Sequence, residues 1–427
     1  MRYIDFIQKT YKPKETDVIA EFYVERDEKS PLSMDDVIGG VAAESSIGTW
    51  TELTTEKEYM RKLAAIVFYV NRIGDTAFIK IAYPKELFEF DNIPNFMSGI
   101  AGNIFGLKDI KNLRLEDIKF PSEMLKKFKG PVYGIQGVRK LLKVKDRPLV
   151  GTIVKPKLGL NTKDHAKVAY DAWVGGCDIV KDDENLSSQS FNRFDERLKE
   201  TFKMKEKAEK ETGEKKVYMI NVTAETDEML RRAKMAKNIG NEYMMVDILT
   251  VGWSALQTLR NANEDLKLVM HAHRAGHAAF TKNPSHGISM LVIAKLARLI
   301  GLDQIHIGTI VGKMGGTKKE IVSIDQEMED RFIRAKGHVL EENWLHIKPT
   351  FAVCSGGLHP GLIPALVRNL GKNIVIQMGG GIHGHPKGTV KGAMAARQAI
   401  DATMKHISLE EYAKKHIELK QALEKWK

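Results

Sequence analysis

Apolar and polar residues follow two different rhythms along this chain. Up to about residue 130 they alternate in short stretches, with helix-period segments between them. "DVIAEFYVE", "AAIVFYVNR", "TAFIKIAYP" and "NLRLEDIKFP" read as strands, because alternation turns one face to a core and the other to water. "SMDDVIGGVAAESS" reads as a helix with Ser33 at its N-cap, and "IPNFMSGIAGNIFG" as a second helix. The resulting order, βαββαβ, predicts a small α+β (ferredoxin-like) domain with one sheet. The stretch "KKFKGPVYGIQGVRKLLKVKDRP" connects it to a second region.

From residue 148 the rhythm becomes a repeat. Eight short apolar runs follow one another: "PLVGTIVKPK", "CDIVKDDE", "VYMINVTA", "EYMMVDIL", "LKLVMHAHRA", "DQIHIGT", "PTFAVCSGG" and "NIVIQMGGG". Intervening segments such as "NTKDHAKVAYDAWVGG" and "ETDEMLRRAKMAKNIG" carry apolar residues at helical spacing and stop at glycine, a usual helix end. Eight strand–helix units in about 280 residues are the arithmetic of a (β/α)8 TIM barrel. A doubly wound open sheet is the alternative, but it seldom needs eight consecutive units. The expectation is an α/β chain, with residues 1–130 an N-terminal α+β domain and residues 131–427 a catalytic barrel with C-terminal helices. Near the end, Ser408 and Glu411 stand at capping-box spacing.

Composition narrows the function. With 43% hydrophobic and 28% charged residues, 427 residues can bury a large core. The net charge of +11 suits either nucleic acid or anionic small substrates. Lysines are interleaved with acids, as in "KMKEKAEKETGEKK", and aromatics do not alternate with them as a base-stacking surface requires. A bisphosphate-like substrate fits, and no nucleic-acid partner is expected. Cys177 and Cys354 lie in apolar runs, which predicts reduced core thiols and a reducing, cytoplasmic compartment. No signal-type N-terminus or run of about 18 apolar residues is found, so no membrane partner is expected.

Reactive side chains gather at the C-terminal ends of the apolar runs. Lys155 and Lys157 follow the first, Lys181, Asp183 and Glu184 the second, and Asn221 and Asp247 lie at the third and fourth. His271, His273 and Arg274 end the fifth, His306 lies in the sixth, and Ser355, Gly356 and Gly357 close the seventh. Gly379, Gly380 and Gly381 follow the eighth. Taken singly, "VKDDEN" is a charged turn and the glycines are turn residues. Their convergence at nearly every strand end marks the face where barrel enzymes keep their sites. The H-x-H of "HAHRAGH" raises zinc, but the carboxylate pair sits with Lys181 instead, and Arg274 favours an oxyanion or phosphate. Asp183 and Glu184, as hard oxygen donors, suit Mg²⁺. Lys181 is either a counter-ion to these acids or, with its amine neutral, the carrier of a CO₂-derived carbamate ligand. The residues alone leave both readings open.

The motifs "GTIVKPKLGL", "GGCDIVKDDEN", "HAHRAGHAAFTKNPSHGISM", "HIGTIVGKMGG", "SGGLHPG" and "QMGGGIHGHPKG" together resemble the large subunit of ribulose-1,5-bisphosphate carboxylase/oxygenase, RuBisCO. "VAAESSIGTWT" and "AGNIFGLKDIKNLRLEDIKFP" match it in the N-terminal region, and the compact length is most similar to the archaeal form III enzymes. The resemblance implies that Lys181 is carbamylated by activating CO₂ and holds Mg²⁺ with Asp183 and Glu184, the carbamate oxygen taking the C3 proton of the substrate. Lys155 would transfer protons at C2 and C3 with Lys157 in electrostatic support. His273 would assist hydration, and Lys313 in a loop after the sixth strand would stabilise the new carboxylate. Arg274, His306 and Ser355 would hold one end of ribulose 1,5-bisphosphate, and Gly357, Gly379, Gly380, Thr49 and Trp50 the other phosphate. Glu44 and Asn103 would complete the site of a neighbouring subunit, implying a homodimer with shared sites, higher assemblies of dimers being open and no small subunit expected. The reaction implied is carboxylation and oxygenation of the bisphosphate through an enediolate, giving two 3-phosphoglycerate on carboxylation, in AMP salvage.

Some positions depart from the family pattern. Gly315 stands where an acidic residue usually follows the loop lysine, and Ile153 where plant enzymes have threonine. Asp182 has no matched role and reads as an ordinary turn residue. The rival within the fold is a RuBisCO-like enolase or isomerase of sulfur salvage. Such relatives have replaced several of these positions, whereas the carboxylase set is present here.

Overall fold

The computed structural model describes residues 1–312 and 317–426. The chain divides into two compact units. Met1–Lys129, Gly276–Leu299 and Asp330–Ile347 form the first, and Gly130–Ala275, Ile300–Glu329 and the region from Lys348 onward form the second.

The first unit holds a sheet built from β1 (Val18–Arg26), β2 (Ile66–Ile73), β3 (Thr76–Tyr83) and β4 (Ile110–Lys119). Central β1 runs antiparallel to β3 and to β4, with Phe22 opposite Ile79 on one side and Leu115 on the other. β2 pairs outside β3. The expected βαββαβ order is observed, with helices Met34–Glu44 and Ile93–Ile100 between the strands. The first helix starts where predicted, because Ser33 and Asp36 cap each other reciprocally. A fifth strand, Gly287–Ile288, adds parallel to β4 from far along the chain. A buried ion cluster ties the distant segments of this unit together: Lys295 Nζ lies 3.0 Å from Asp117 Oδ1 and 3.5 Å from Glu342 Oε2.

In the second unit all eight predicted strands form, and they close into a parallel barrel. They are β5 (Leu149–Ile153), β6 (Ile179–Lys181), β7 (Val217–Asn221), β8 (Tyr243–Asp247), β9 (Val269–His273), β10 (Gln304–Gly308), β11 (Phe351–Ser355) and β12 (Ile374–Gln377). Neighbours pair in that order and β12 returns to β5. Leu149, Ile179, Val217, Tyr243, Val269 and Phe351 stack at the N-terminal end, with Met219, Met245, Val353 and Val375 in the same cluster. The amphipathic helix Gly134–Leu142 lays Ile135, Val138 and Leu142 across that mouth. Each such side chain contributes about 1.5–3 kcal/mol on burial, so this end is a sealed core.

The barrel helices begin and stop on local signals. Asn161 caps Thr162–Val174 by accepting from the Asp164 N–H, and the helix stops at Gly175. A Cβ at Gly175 would stand 2.4 Å from the Val390 carbonyl oxygen, so the missing side chain is what lets helix Gly388–Met404 approach. Ser408 Oγ accepts from the Glu411 N–H as predicted, but the Glu411 carboxylate turns to Lys414, which leaves half a capping box. Cys177 and Cys354 are free and buried. Among the described residues no helix is long and apolar enough to cross a membrane.

Candidate active site

Strand geometry places the reactive residues. Lys181 is the last residue of β6, and its side chain is 1% exposed. Its Nζ donates to the Asp182 carbonyl at 2.8 Å and lies 3.4 Å from Met245 Sδ and 3.7 Å from Glu184 Oε2. Burial pushes the amine below its ordinary range, against Glu184 and Asp183, which pull it up. Lys155, just beyond β5, donates to Asp183 Oδ2 at 2.7 Å. Asp183 Oδ1 accepts from the Asn185 backbone and side chain. Burial raises the carboxyls of Asp183 and Glu184, but Lys155 for the first and Lys181 with His273 for the second outweigh it, so both are ionised.

A histidine group faces these acids. His273, ending β9, has Nε2 3.5 Å from Glu184 Oε2 and Nδ1 3.0 Å from Asp247 Oδ1. Its ring meets that of His306 edge-on at 4.9 Å, and His271 meets His306 at 4.8 Å. His306 Nδ1 lies 2.8 Å from Ser355 Oγ, which joins β10 to β11. Burial first, with His271 and His273 adding to it, holds His306 far below the ordinary imidazole range, so it is neutral. Its Nε2 has no hydrogen-bond partner among the described residues.

Arg274 follows at the same end. It is 8% exposed, and a Cβ on Gly308 would stand 2.8 Å from its Nη2. Burial pushes the guanidinium down to about 10, with Glu320 only partly offsetting it. No salt bridge to Arg274 occurs among the described residues, and a buried cation without a partner is costly unless an anion arrives. The glycine loops lie alongside. Gly356 and Gly357 have φ of +112° and +74°, a turn other residues would strain to make. A Cβ on Gly379 would be 3.2 Å from Lys155 Cε, and one on Gly380 would meet open space. His383 Nε2 contacts Ile153 O at 3.0 Å and Thr152 Oγ1 at 2.9 Å, which tethers the Gly379–Gly380 loop over the end of β5.

The barrel therefore brings together Lys155, Lys181, Asp183, Glu184, His273, His306 and Ser355 through direct contacts, with Gly379 beside Lys155. Lys157 is exposed on its loop and makes no such contact among the described residues. Glu44, Thr49, Trp50 and Asn103 belong to the first unit: Glu44 accepts from Tyr3 Oη at 2.6 Å, and Trp50 is 82% exposed. Lys313 and Gly315 lie outside the described residues.

One reading of the sequence is overturned. Asp182 is no turn residue, since its carboxylate is fully buried against Arg197, Tyr218, His165 and the Asn221 N–H. Burial alone would raise this carboxyl, but Arg197 and His165 hold it well below the carboxylate range. The missed partner had a signal. In "FDERLKETF", Arg197 occupies the stripe shared by buried Phe194, Leu198 and Thr201, and a charge in an apolar stripe implies a buried partner.

A closed parallel barrel whose C-terminal strand ends carry paired lysines, acids and histidines defines an enzyme of the TIM-barrel class. Residues 134–426 match the ribulose bisphosphate carboxylase large chain, catalytic domain, and residues 5–124 match its N-terminal domain. The ribulose bisphosphate carboxylase of Methanosarcina mazei is 52% identical over 426 residues, covering 99% of both chains. That of Methanocaldococcus jannaschii is 50% identical over 432 residues, covering 99% of this chain and 100% of its own. Among solved structures, the dimeric archaeal Rubisco from Hyperthermus butylicus superposes with a TM-score of 0.94 at 48% identity, covering 99% of each chain. The octameric enzyme from Pyrococcus horikoshii, in complex with sulfate ion, gives 0.93 at 48%, covering 100% of this chain and 97% of its own. The chain belongs to the ribulose bisphosphate carboxylase large-chain family.

Proposed function

We propose that this chain carboxylates, and also oxygenates, D-ribulose 1,5-bisphosphate through an enediolate, with two molecules of 3-phosphoglycerate formed from bisphosphate, CO₂ and water on carboxylation. The observation that carries the reading is the buried Lys181 amine at the end of β6, beside Asp183 and Glu184, with its pKa lowered by burial. A neutral amine adds CO₂ by forming an N–C bond and losing one proton, which turns a neutral side chain into an anionic oxygen donor.

The residues fit Mg²⁺ on that basis. Asp183 and Glu184 offer adjacent carboxylates, hard oxygen donors of the kind Mg²⁺ takes, and the family resemblance implies the carbamate of Lys181 as the third anionic donor. Bound there, Mg²⁺ would polarise the substrate oxygens and stabilise negative charge at C2 and C3. Lys155 would move protons at those carbons, with Lys157 supporting it. The Lys181 carbamate would accept the C3 proton. His273 would orient the hydrating water, and Lys313 would stabilise the carboxylate made from CO₂.

Arg274, His306 and Ser355 would hold one end of the substrate, and Gly357, Gly379, Gly380, Thr49 and Trp50 the other phosphate. The buried Arg274, which has no salt-bridge partner among the described residues, and the open space at Gly380 support that assignment. Glu44 and Asn103 would complete a partner's site in a homodimer, from which larger assemblies could be built without a small subunit. The free buried thiols support a reducing, cytoplasmic setting, and form III membership with a role in AMP salvage completes the proposal. The test is incorporation of labelled CO₂ into 3-phosphoglycerate after preincubation with CO₂ and Mg²⁺. Absence of label, or an intact rate in Lys181→Ala, overturns it. Enolisation without carboxylation would mark the RuBisCO-like alternative.

A further inference from the structure

We infer that Asp182, with Arg197 and Asn221, forms a rigid frame that sets the geometry of the segment carrying Lys181, Asp183 and Glu184, so that Asp182 is a positioning residue for capture of CO₂ and a divalent cation. The inference rests on the carboxylase reading of that segment. Asp182 Oδ2 accepts from the Asn221 N–H at 3.0 Å and from Arg197 Nε at 3.1 Å. Its Oδ1 accepts from Tyr218 Oη at 2.8 Å and lies 3.1 Å from His165 Nε2.

Arg197 is fully buried and spends its remaining donors on the far side of the same loop, Nη2 to Ser187 O at 2.7 Å and Nη1 to Asn192 O at 2.8 Å. The Asn221 amide donates to Glu184 O at 3.1 Å and Leu186 O at 3.2 Å. The Asp182 N–H itself bonds to Met219 O at 3.1 Å. The segment is thus pinned from beneath at residues 182, 184, 186, 187 and 192, and these pins use neither the Asp183 nor the Glu184 carboxylate.

Stability alone does not explain this arrangement, because a buried ion pair can often be replaced by packed apolar groups without loss. Three hydrogen bonds and a close imidazole on one carboxylate instead fix where the next two carboxylates point. Outer groups of this kind commonly set metal affinity.

The test measures Mn²⁺ binding by electron paramagnetic resonance, with and without bicarbonate, on the wild-type chain, Asp182→Asn and Arg197→Lys. A ¹³C-labelled carbamate resonance and the KM for ribulose 1,5-bisphosphate at saturating Mg²⁺ are read alongside. In the variants, bicarbonate-dependent Mn²⁺ binding should weaken by about 10- to 100-fold, in the range typical of second-layer metal-site changes. KM should move by less than about two-fold, since substrate contacts are untouched. Tyr218→Phe removes a single bond and should weaken Mn²⁺ binding about three-fold, which keeps the test decisive if Asp182→Asn fails to fold. Variants that melt earlier yet bind Mn²⁺ as the wild type does would overturn the inference and leave a merely structural pair. A wild-type chain with no bicarbonate-dependent Mn²⁺ binding would instead overturn the carboxylase reading.

Discussion

The two ends of the barrel are made from the same eight strands and behave in opposite ways. At the N-terminal end apolar side chains meet under the helix Gly134–Leu142, and two buried carboxylates there, Asp178 and Asp303, are partnered. Asp178 accepts two bonds from Arg147, at 2.6 and 2.7 Å, and one from the Val150 N–H at 2.9 Å. Asp303 accepts from the backbone of Tyr133, Gly134 and Met270. At the C-terminal end Lys181 is held in a place that disfavours its charge, and among the described residues the buried Arg274 has no salt-bridge partner and His306 Nε2 no hydrogen-bond partner. One end spends its polar groups on the fold, and the other leaves them available to a ligand. The difference teaches where substitutions should separate stability from function.

The sharpest separation should come from Lys181→Met. CO₂ incorporation should fall by at least about 10³-fold, equivalent to about 4 kcal/mol of barrier. The melting temperature should hold or rise, because a buried amine is removed. A large drop in melting temperature would show that Lys181 belongs to the structural end of the comparison after all.

Arg147→Ala should do the reverse. It leaves Asp178 buried without its main partner and should cost about 3–5 kcal/mol in urea unfolding, with KM unchanged. The pH dependence has a definite sign. In the wild type burial raises the Asp178 carboxyl but Arg147 outweighs it, so its folded pKa is lowered. Its contribution is therefore present above the unfolded value, about 4, and is lost as pH falls through the folded one. Without Arg147, burial dominates and protonation relieves the stranded charge. The difference between the two proteins should be largest near neutrality and shrink in acid, and a gap constant with pH would refute the assignment.

Arg274→Met should raise KM for the bisphosphate by about 10- to 100-fold, the size expected for losing a charge-assisted contact of about 1.5–3 kcal/mol. Its stability should stay level or increase, as calorimetry would show. Least of all, Ser408→Ala removes a helix cap remote from both ends of the comparison and should cost about 1 kcal/mol in unfolding without a kinetic effect.

Much of this was legible before any coordinates. Alternation, helical spacing and glycine stops set out the βαββαβ unit and all eight barrel strands, because the burial of one face writes its period into the residues. Strand ends are legible too, which places Lys155, Lys181, Asp183, Glu184, His273, His306 and Ser355 at one end of the barrel. Less legible was whatever depends on distant segments meeting: the strand Gly287–Ile288 on β4, the Lys295–Asp117–Glu342 cluster, and the Arg197 clamp on Asp182.

By itself the sequence determined the fold class, the family motifs and the kinds of group at each strand end, since local periodicity and residue chemistry need no partner to be recognised. Tertiary structure alone decided which of those groups share charge, protons and burial. In "VKDDEN" the four charged side chains look alike on paper. Closure of the barrel buries Lys181 beside Glu184 and sends the next side chain, Asp182, to Arg197, because successive side chains at a strand end point to opposite sides of its wall. Asp183 and Glu184 lie beyond the strand's last residue, where Lys155 and Lys181 meet them.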